Sequence, residues 1–370
     1  MHRLLGGTPG HFQHHAGRRL PLDLLVVDEA SMLDLALATR LFEALPDTAR
    51  LLLLGDKDQL AAVEAGAVFA ELSADPSLSP RCIDDVAAAC GIEGSRLRPP
   101  APLHAGALPD STVWLQRNHR FAATSAIGLM AAATQRGDAA SLLQVLGEPR
   151  SDVAWLASDD PLPDDALWRA MQAGFAPYLA ALRHDPADHA AALAEFARFR
   201  VLCALREGPR GVQACNERML ELLPPAAART AARPGQPVMV LRNEAMLGLF
   251  NGDIGLLLPD ASGALGAVFP DPQGGTPRRL PLARLPAHET AFAMTVHKAQ
   301  GSEFDEVLLM LPNRPSRVLG RELLYTALTR ARQRVTVAAP AAVLAEATAT
   351  PTRRRSGLQA RLAEATPPRR

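Results

Sequence analysis

The chain has 370 residues, 48% of them apolar, which is length and core-forming material for two or three domains. Its formal charge is zero, 39 Lys and Arg against 39 Asp and Glu, a balance that still permits a nucleic-acid ligand because a local basic groove suffices for phosphate contact. Cys82, Cys90, Cys203 and Cys215 lack the close pairing of zinc ligands, and no signal peptide or membrane-length apolar run occurs; zinc-finger, secreted and membrane-spanning classes are set aside, and a cytoplasmic protein with reduced thiols is expected.

In chain order, the first strong signal is Leu24-Leu25-Val26-Val27 followed by Asp28-Glu29-Ala30-Ser31, an apolar strand that delivers two adjacent carboxylates at its end. This is a Walker B pattern. In P-loop nucleoside triphosphatases the first acid holds Mg²⁺ and the second polarises the water that attacks the γ-phosphate, which assigns Asp28 to the metal and Glu29 to the water. By itself the run is equally an ordinary core strand ending in a solvated acidic turn. Met32 to Leu45 has apolar residues at helical spacing and fits the crossover helix of a βαβ unit. Leu51-Leu52-Leu53-Leu54 is a second strand, and it empties into Gly55-Asp56-Lys57-Asp58-Gln59-Leu60 before a helix expected near Ala61. Parallel strands present their carboxyl ends to a common ligand, so Asp28, Glu29 and Gln59 are expected to converge on one nucleotide.

A Pro-rich stretch, Arg98-Pro99-Pro100-Ala101-Pro102, marks the end of the first domain near residue 110. Beyond it, strands are expected at Val113-Trp114-Leu115, Phe199 to Leu205, Val307 to Leu311 and Arg334 to Ala338, around a helical middle from Ala122 to Ala197 whose Trp155 and Trp168 read as core residues. Residues 234–286 differ in kind: Val238 to Asn243 and Leu249 to Gly255 have hairpin and turn signals rather than helical periodicity.

Together VVDEASMLD and LLGDKDQLAAVEAGAV resemble motifs II and III of superfamily 1 DNA helicases, specifically the RecD branch. Gln116-Arg117-Asn118-His119-Arg120-Phe121 resembles motif IV, Met294 to Phe304 the RecD form of motif V, and Arg321 to Arg332 motif VI. The resemblance implies an α/β fold of tandem RecA-like P-loop NTPase motor domains, the first incomplete, with a small SH3-like β-barrel insert that guides single-stranded DNA. The domains it implies are 1–110 (motifs II and III), 111–233 (motif IV), the insert 234–290, 291–345 (motifs V and VI) and a basic tail 346–370.

The same resemblance implies ATP and Mg²⁺ as cofactors, ATP held between two motor domains, and translocation 5′-to-3′ on single-stranded DNA. Asp28 would hold Mg²⁺, Glu29 would activate water and Gln59 would sense the γ-phosphate. Arg120 and Arg330 would contact phosphate, a task that suits a planar, permanently charged guanidinium. Gly301 and Glu303 would lie on the nucleotide, Glu303 bonding the ribose. His2, Arg3, Thr295, His297 and Lys298 would face DNA. Lys298 and Lys57 are the only lysines, both inside these motifs, among basic residues that are otherwise arginine.

One departure stands out. No G-x-x-x-x-G-K-[ST] occurs, and Gly55-Asp56-Lys57 lacks the glycine cradle and the following Ser or Thr. His2-Arg3-Leu4-Leu5-Gly6 resembles the tail of motif Ia, so the expectation is a fragment that begins partway through the first motor domain, leaving Leu24 to Val27 and Leu51 to Leu54 with exposed edges. Within the RecD branch, Leu205-Arg206-Glu207-Gly208-Pro209-Arg210-Gly211-Val212, His288 to Met294 and Arg353-Arg354-Arg355-Ser356-Gly357-Leu358 look closer to the exodeoxyribonuclease V subunit, which acts with RecB and RecC on DNA ends, than to a stand-alone helicase. A non-catalytic DNA-binding remnant is the reading from another class; it would bind DNA without nucleotide dependence.

Overall fold

Leu24–Val27 and Arg50–Leu53, apolar apart from Arg50, form two short parallel strands in the first unit. The computed structural model describes residues 1–8, 11–62, 66–103, 108, 110–116, 121, 125–226, 232–352 and 357–365. It divides into two compact units, Met1–His119 with Thr352–Arg370, and Arg120–Pro351.

In the first unit, helix α1 (His2–Leu5) stops at Gly6, whose φ of 67° is open to glycine, and leads into an antiparallel pair, β1 (Gly7–Thr8) and β2 (His11–Phe12). Strand β3 (Leu24–Val27), helix α2 (Leu35–Ala44) and strand β4 (Arg50–Leu53) make the βαβ unit, with Leu24 opposite Arg50 and Val27 opposite Leu53 in parallel register. Asp34 caps α2 by accepting from Leu37 N at 2.7 Å. Leu5, Leu20, Val27, Ala30, Leu33, Leu41 and Ala44 form the core on one side of this pair. On the other side Leu24, Val26, Leu52 and Leu54 are 44–57% exposed.

Two expectations change here. The helix placed near Ala61 begins only at Val68, as α3 (Val68–Leu72), because Gly66 takes φ 100° and breaks the helical path before it. Val113–Leu115 forms no strand among the described residues. Val113 and Leu115 are 79% and 92% exposed, and only Trp114 is anchored, donating from Nε1 to Ser73 O at 2.7 Å beneath the Lys57 ammonium. An extended segment with no free ladder beside it stays irregular. Helix α4 (Pro80–Cys90) follows, capped by Ser79, and the helix Leu358–Ala365 reaches the first unit through Gln359, which donates to Glu71 O.

The second unit carries a five-stranded parallel sheet. After α5 (Ala126–Arg136) and α6 (Ala139–Gly147) come β5 (Val153–Leu156), α7 (Asp165–His184), α8 (His189–Arg198), β6 (Phe199–Cys203) and α9 (Val212–Leu220). An antiparallel sheet intervenes, made of β7 (Gln236–Val240), β8 (Ile254–Pro259), β9 (Leu265–Phe269), β10 (Arg278–Pro281) and β11 (His288–Thr290). The chain then returns with β12 (Ala293–Thr295), β13 (Phe304–Met310), α10 (Arg321–Leu328), β14 (Ala331–Ala338) and α11 (Ala341–Ala349). The parallel order is β12-β6-β13-β14-β5 and the antiparallel order β10-β9-β8-β7-β11.

Strand β6 is buried at all five positions, as expected for a central parallel strand covered on both faces. Trp155 lies on strand β5, not in a helical stretch, and donates to Ala339 O at 2.9 Å, while Trp168 packs against the α7–β6 core; both are packing residues. In the 234–290 segment, four strands run as a meander and β11 returns beside β7. Its hydrogen-bonded pairings place β10 and β11 at the two ends of the strand order. No helix among the described residues is long and apolar enough to cross a membrane.

Candidate functional site

Asp28 and Glu29 leave the carboxyl end of β3, and the Gly55–Gln59 turn leaves the carboxyl end of its parallel neighbour β4. The two turns are tied together: Leu54 N donates to Val27 O and Ala30 N to Leu54 O, both at 2.8 Å. Gly55 allows the approach, since a Cβ there would lie 3.1 Å from Ser31 N and 3.2 Å from the Phe69 ring. Asp28 is exposed, and its Oδ1 accepts from Glu29 N at 2.8 Å. Glu29 sits at φ 52°, ψ 40°, a left-handed conformation that costs a residue with a Cβ on the order of 1 kcal/mol. Among the described residues it is one of two non-glycine residues with positive φ, the other being Asp110.

Gln59 donates from Nε2 to Asp56 Oδ2 at 3.2 Å, and its Oε1 is buried with no hydrogen-bond partner. Ser31 Oγ, next to this turn, is likewise buried and unpartnered. Buried polar atoms without partners are uncommon in folded proteins. Here a buried acceptor and a buried hydroxyl belong to the two turns that follow β3 and β4, the turns that also carry Asp28 and Glu29. Ser31 was not singled out from the sequence; a serine after two acids carries no signal until its hydroxyl is seen buried. Lys57 pairs with Asp58 at 2.9 Å and so is held inside its own turn.

No group of three or more His, Cys, Asp or Glu residues able to hold a metal ion occurs among the described residues. A magnesium ion carried by a nucleotide does not need one: one or two carboxylates suffice, with phosphate and water completing the octahedron, and exposed Asp28 fits that part.

In the second unit, motifs V and VI are brought side by side by β12, β13 and α10. Thr295 ends β12, and its Oγ1 accepts from Lys298 N at 3.3 Å, closing the turn that contains His297. Gly301 turns at φ 75° with open space around it. Arg330 is 2% exposed, donating from Nε to Thr326 O and from Nη1 to Ser302 O, both at 3.2 Å, while its carbonyl accepts from Phe304 N at 2.9 Å. It therefore staples motif VI to motif V. Glu303 pairs with Arg332 at 3.1 Å, and Lys298 pairs with Glu289 at 2.6 Å. Arg120 lies outside the described residues. His2 and Arg3 are exposed on α1, with the His2 ring 5.8 Å from that of Phe12.

Two further residues hold motif V and were not visible as site residues in the sequence. Asn216 on α9 donates to Thr290 O at 2.9 Å and Ala293 O at 3.1 Å, and accepts from Ala293 N at 2.8 Å. Arg200 on β6, 2% exposed, donates to Ala291 O at 2.7 Å and stacks 4.0 Å from the Phe196 centroid; burial lowers its pKa to about 9. Both grip residues 290–293, the joint between the antiparallel sheet and motif V.

A profile of the UvrD-like helicase C-terminal domain matches residues 290–338, and one of an AAA domain matches residues 2–81. The RecBCD enzyme subunit RecD of Mycobacterium tuberculosis (strain H37Rv) is 37% identical over 368 residues, covering 98% of this chain and 57% of that one. In sequence, the chain is similar to RecD-type proteins. The RecBCD subunit RecD of Haemophilus influenzae is 32% identical, covering 97% of this chain and 57% of that protein. The ATP-dependent RecD2 DNA helicase of Deinococcus radiodurans is 31% identical over 339 residues, covering 90% and 39%. The chain thus spans between about two fifths and three fifths of the length of these RecD-type relatives.

Proposed function

We propose that these residues belong to an ATP-dependent 5′-to-3′ DNA helicase that works with RecB and RecC on DNA ends in double-strand break repair. The observation that carries the ATP part is the pair of tied turns after β3 and β4, with Glu29 strained and Ser31 Oγ and Gln59 Oε1 buried without partners. When bound, Mg²⁺–ATP supplies the phosphoryl group. Asp28 holds the metal, Glu29 takes a proton from the attacking water, and Gln59 Oε1 accepts a hydrogen bond from water at the γ-phosphate. Arg120 and Arg330 neutralise phosphoryl charge, an effect on the order of 10³–10⁵ in rate for arginine fingers. For Arg330, which is 2% exposed and donates to Thr326 O and Ser302 O, a phosphate contact calls for its donors to become accessible. Gly301 and Glu303 border the nucleotide, and His2, Arg3, Thr295, His297 and Lys298 border the strand. The partner assignment is supported by the similarity to the RecBCD enzyme subunits RecD of M. tuberculosis and H. influenzae.

The phosphate loop G-x-x-x-x-G-K-[ST] is not among the 370 residues, and turnover requires it. The purified 370-residue chain is therefore expected to show no DNA-stimulated ATP hydrolysis. The same residues expressed in continuity with a loop-bearing segment, together with RecB and RecC, are expected to co-purify with both and to unwind 5′-tailed duplex, and Glu29→Gln should abolish the ATP turnover that this chain contributes. Robust turnover by the 370 residues alone, lost in Glu29→Gln, would overturn the requirement for the loop. Unwinding without association with RecB and RecC would favour the stand-alone reading.

A further inference from the structure

Strands β6 and β12 are parallel neighbours with Cys203 opposite Thr295, and three residues beyond each of these lies a cation, Arg206 and Lys298. Both cations thus emerge at the carboxyl end of the sheet, the end at which open α/β sheets take their ligands. Their backbones are fixed: Arg206 O accepts from Gln213 N at 3.1 Å, and Lys298 N donates to Thr295 Oγ1. A single carboxylate reaches both. Glu289, on β11 of the antiparallel sheet, accepts from Lys298 Nζ at 2.6 Å through Oε1 and from Arg206 Nη2 at 3.0 Å through Oε2.

The exposures separate this triad from a structural ion pair. The Glu289 side chain is 18% exposed, Lys298 31% and Arg206 55%, so the carboxylate is the inner member and the cations keep access to solvent. One carboxylate against two cations leaves a net positive charge at the mouth of the site. A phosphodiester carries the same single charge as Glu289 and offers the same two acceptor oxygens.

We propose that Arg206 and Lys298 form a two-cation site for a backbone phosphate of single-stranded DNA, and that Glu289 occupies it as an internal surrogate until the strand displaces it. The proposal rests on the DNA-translocase reading above and adds Arg206 as a contact and Glu289 as its competitor. Because Glu289 belongs to β11 and Lys298 follows β12, displacement loosens the antiparallel sheet from motif V at the joint gripped by Arg200 and Asn216. The strand's arrival is thereby transmitted to the insert.

The test is fluorescence anisotropy of a labelled oligo(dT) with the full 370-residue chain across a salt series. Glu289→Gln unmasks both cations and should tighten binding roughly 5- to 30-fold at about 0.1 M salt. It should also steepen the slope of log affinity against log salt by about 0.7, the value for one extra neutralised single-strand phosphate. Arg206→Gln and Lys298→Gln should each weaken binding, and adding Glu289→Gln to the Arg206→Gln, Lys298→Gln double variant should bring no gain. Should Glu289→Gln fail to fold, Glu289→Asp keeps the charge but shortens the reach, and a smaller tightening is expected. The proposal is overturned if folded Glu289 variants bind no tighter than wild type, or if the gain persists without both cations. Wild type that binds oligo(dT) with no tightening in Glu289→Gln sinks this proposal alone. No salt-sensitive binding by any variant sinks the DNA reading with it.

Discussion

The two parallel sheets of this chain bury their strands to different extents. In the second unit, β6 is buried at every position between β12 and β13, with α7 and α8 packed near it. In the first unit, β3 and β4 have only each other among the described strands, and Leu24, Val26, Leu52 and Leu54 face outward. Parallel strands gain their stability from cover on both faces, so the same kind of apolar run is a core in one place and a surface in the other. Asp28 and Glu29, the carboxylates proposed to act on ATP, follow a strand of the less covered pair. Strain at Glu29 is tolerated there because the hydrogen bonds to Leu54 O and Val27 O fix the turn locally.

A charge placed in each sheet gives the largest contrast. Val201→Asp puts a carboxylate at a fully buried position of β6 and is expected to cost more than about 4 kcal/mol, whereas Val26→Asp, on a strand position 49% exposed, should stay within about 0.5 kcal/mol. Urea unfolding followed at Trp155 and Trp168 for the second unit and at Trp114 for the first measures both. Comparable losses from the two variants would mean that the outward face of β3 and β4 is covered in solution.

A smaller effect probes the joint between the sheets. Asn216→Ala removes three hydrogen bonds and leaves Thr290 O, Ala293 O and Ala293 N without their partner, an expected loss of about 2–4 kcal/mol. Asn216→Asp keeps the acceptor for Ala293 N and should preserve amide protection at that residue while losing the two donations. Hydrogen exchange at Ala293 distinguishes the variants, and unchanged protection in Asn216→Ala would show that α9 does not hold the joint.

The smallest effect concerns the strained acid. Glu29→Gly relieves the positive φ and should stabilise the first unit by about 1 kcal/mol, while Glu29→Gln keeps the strain and should leave stability nearly unchanged. Equal midpoints for the two variants in the Trp114 transition would show that the left-handed conformation costs nothing here.

The contiguous motifs were legible because their chemistry needs neighbours in sequence. Two adjacent acids after an apolar run, or an arginine after a short amphipathic helix, are set by local spacing, and β3, α2, β4, β6, β13 and β14 could be read the same way. Val113–Leu115 could not: its apolar residues have strand character, but a strand needs a free ladder, and none lies beside it among the described residues. The helix expected near Ala61 moved to Val68 because periodicity is blind to the φ that Gly66 adopts.

What the sequence determined by itself is the resemblance to RecD-type proteins, the order of the motifs and the identity of the acids, since covalent order fixes which side chains follow each strand. What the tertiary structure decided is the partner of each charge. Lys298 was expected on DNA and is held by Glu289, Glu303 by Arg332, and the Arg330 guanidinium by the carbonyls of Ser302 and Thr326. Coulomb attraction acts through space and falls with distance and solvent screening, so the nearest opposite charge is known only once strands from distant parts of the chain have paired.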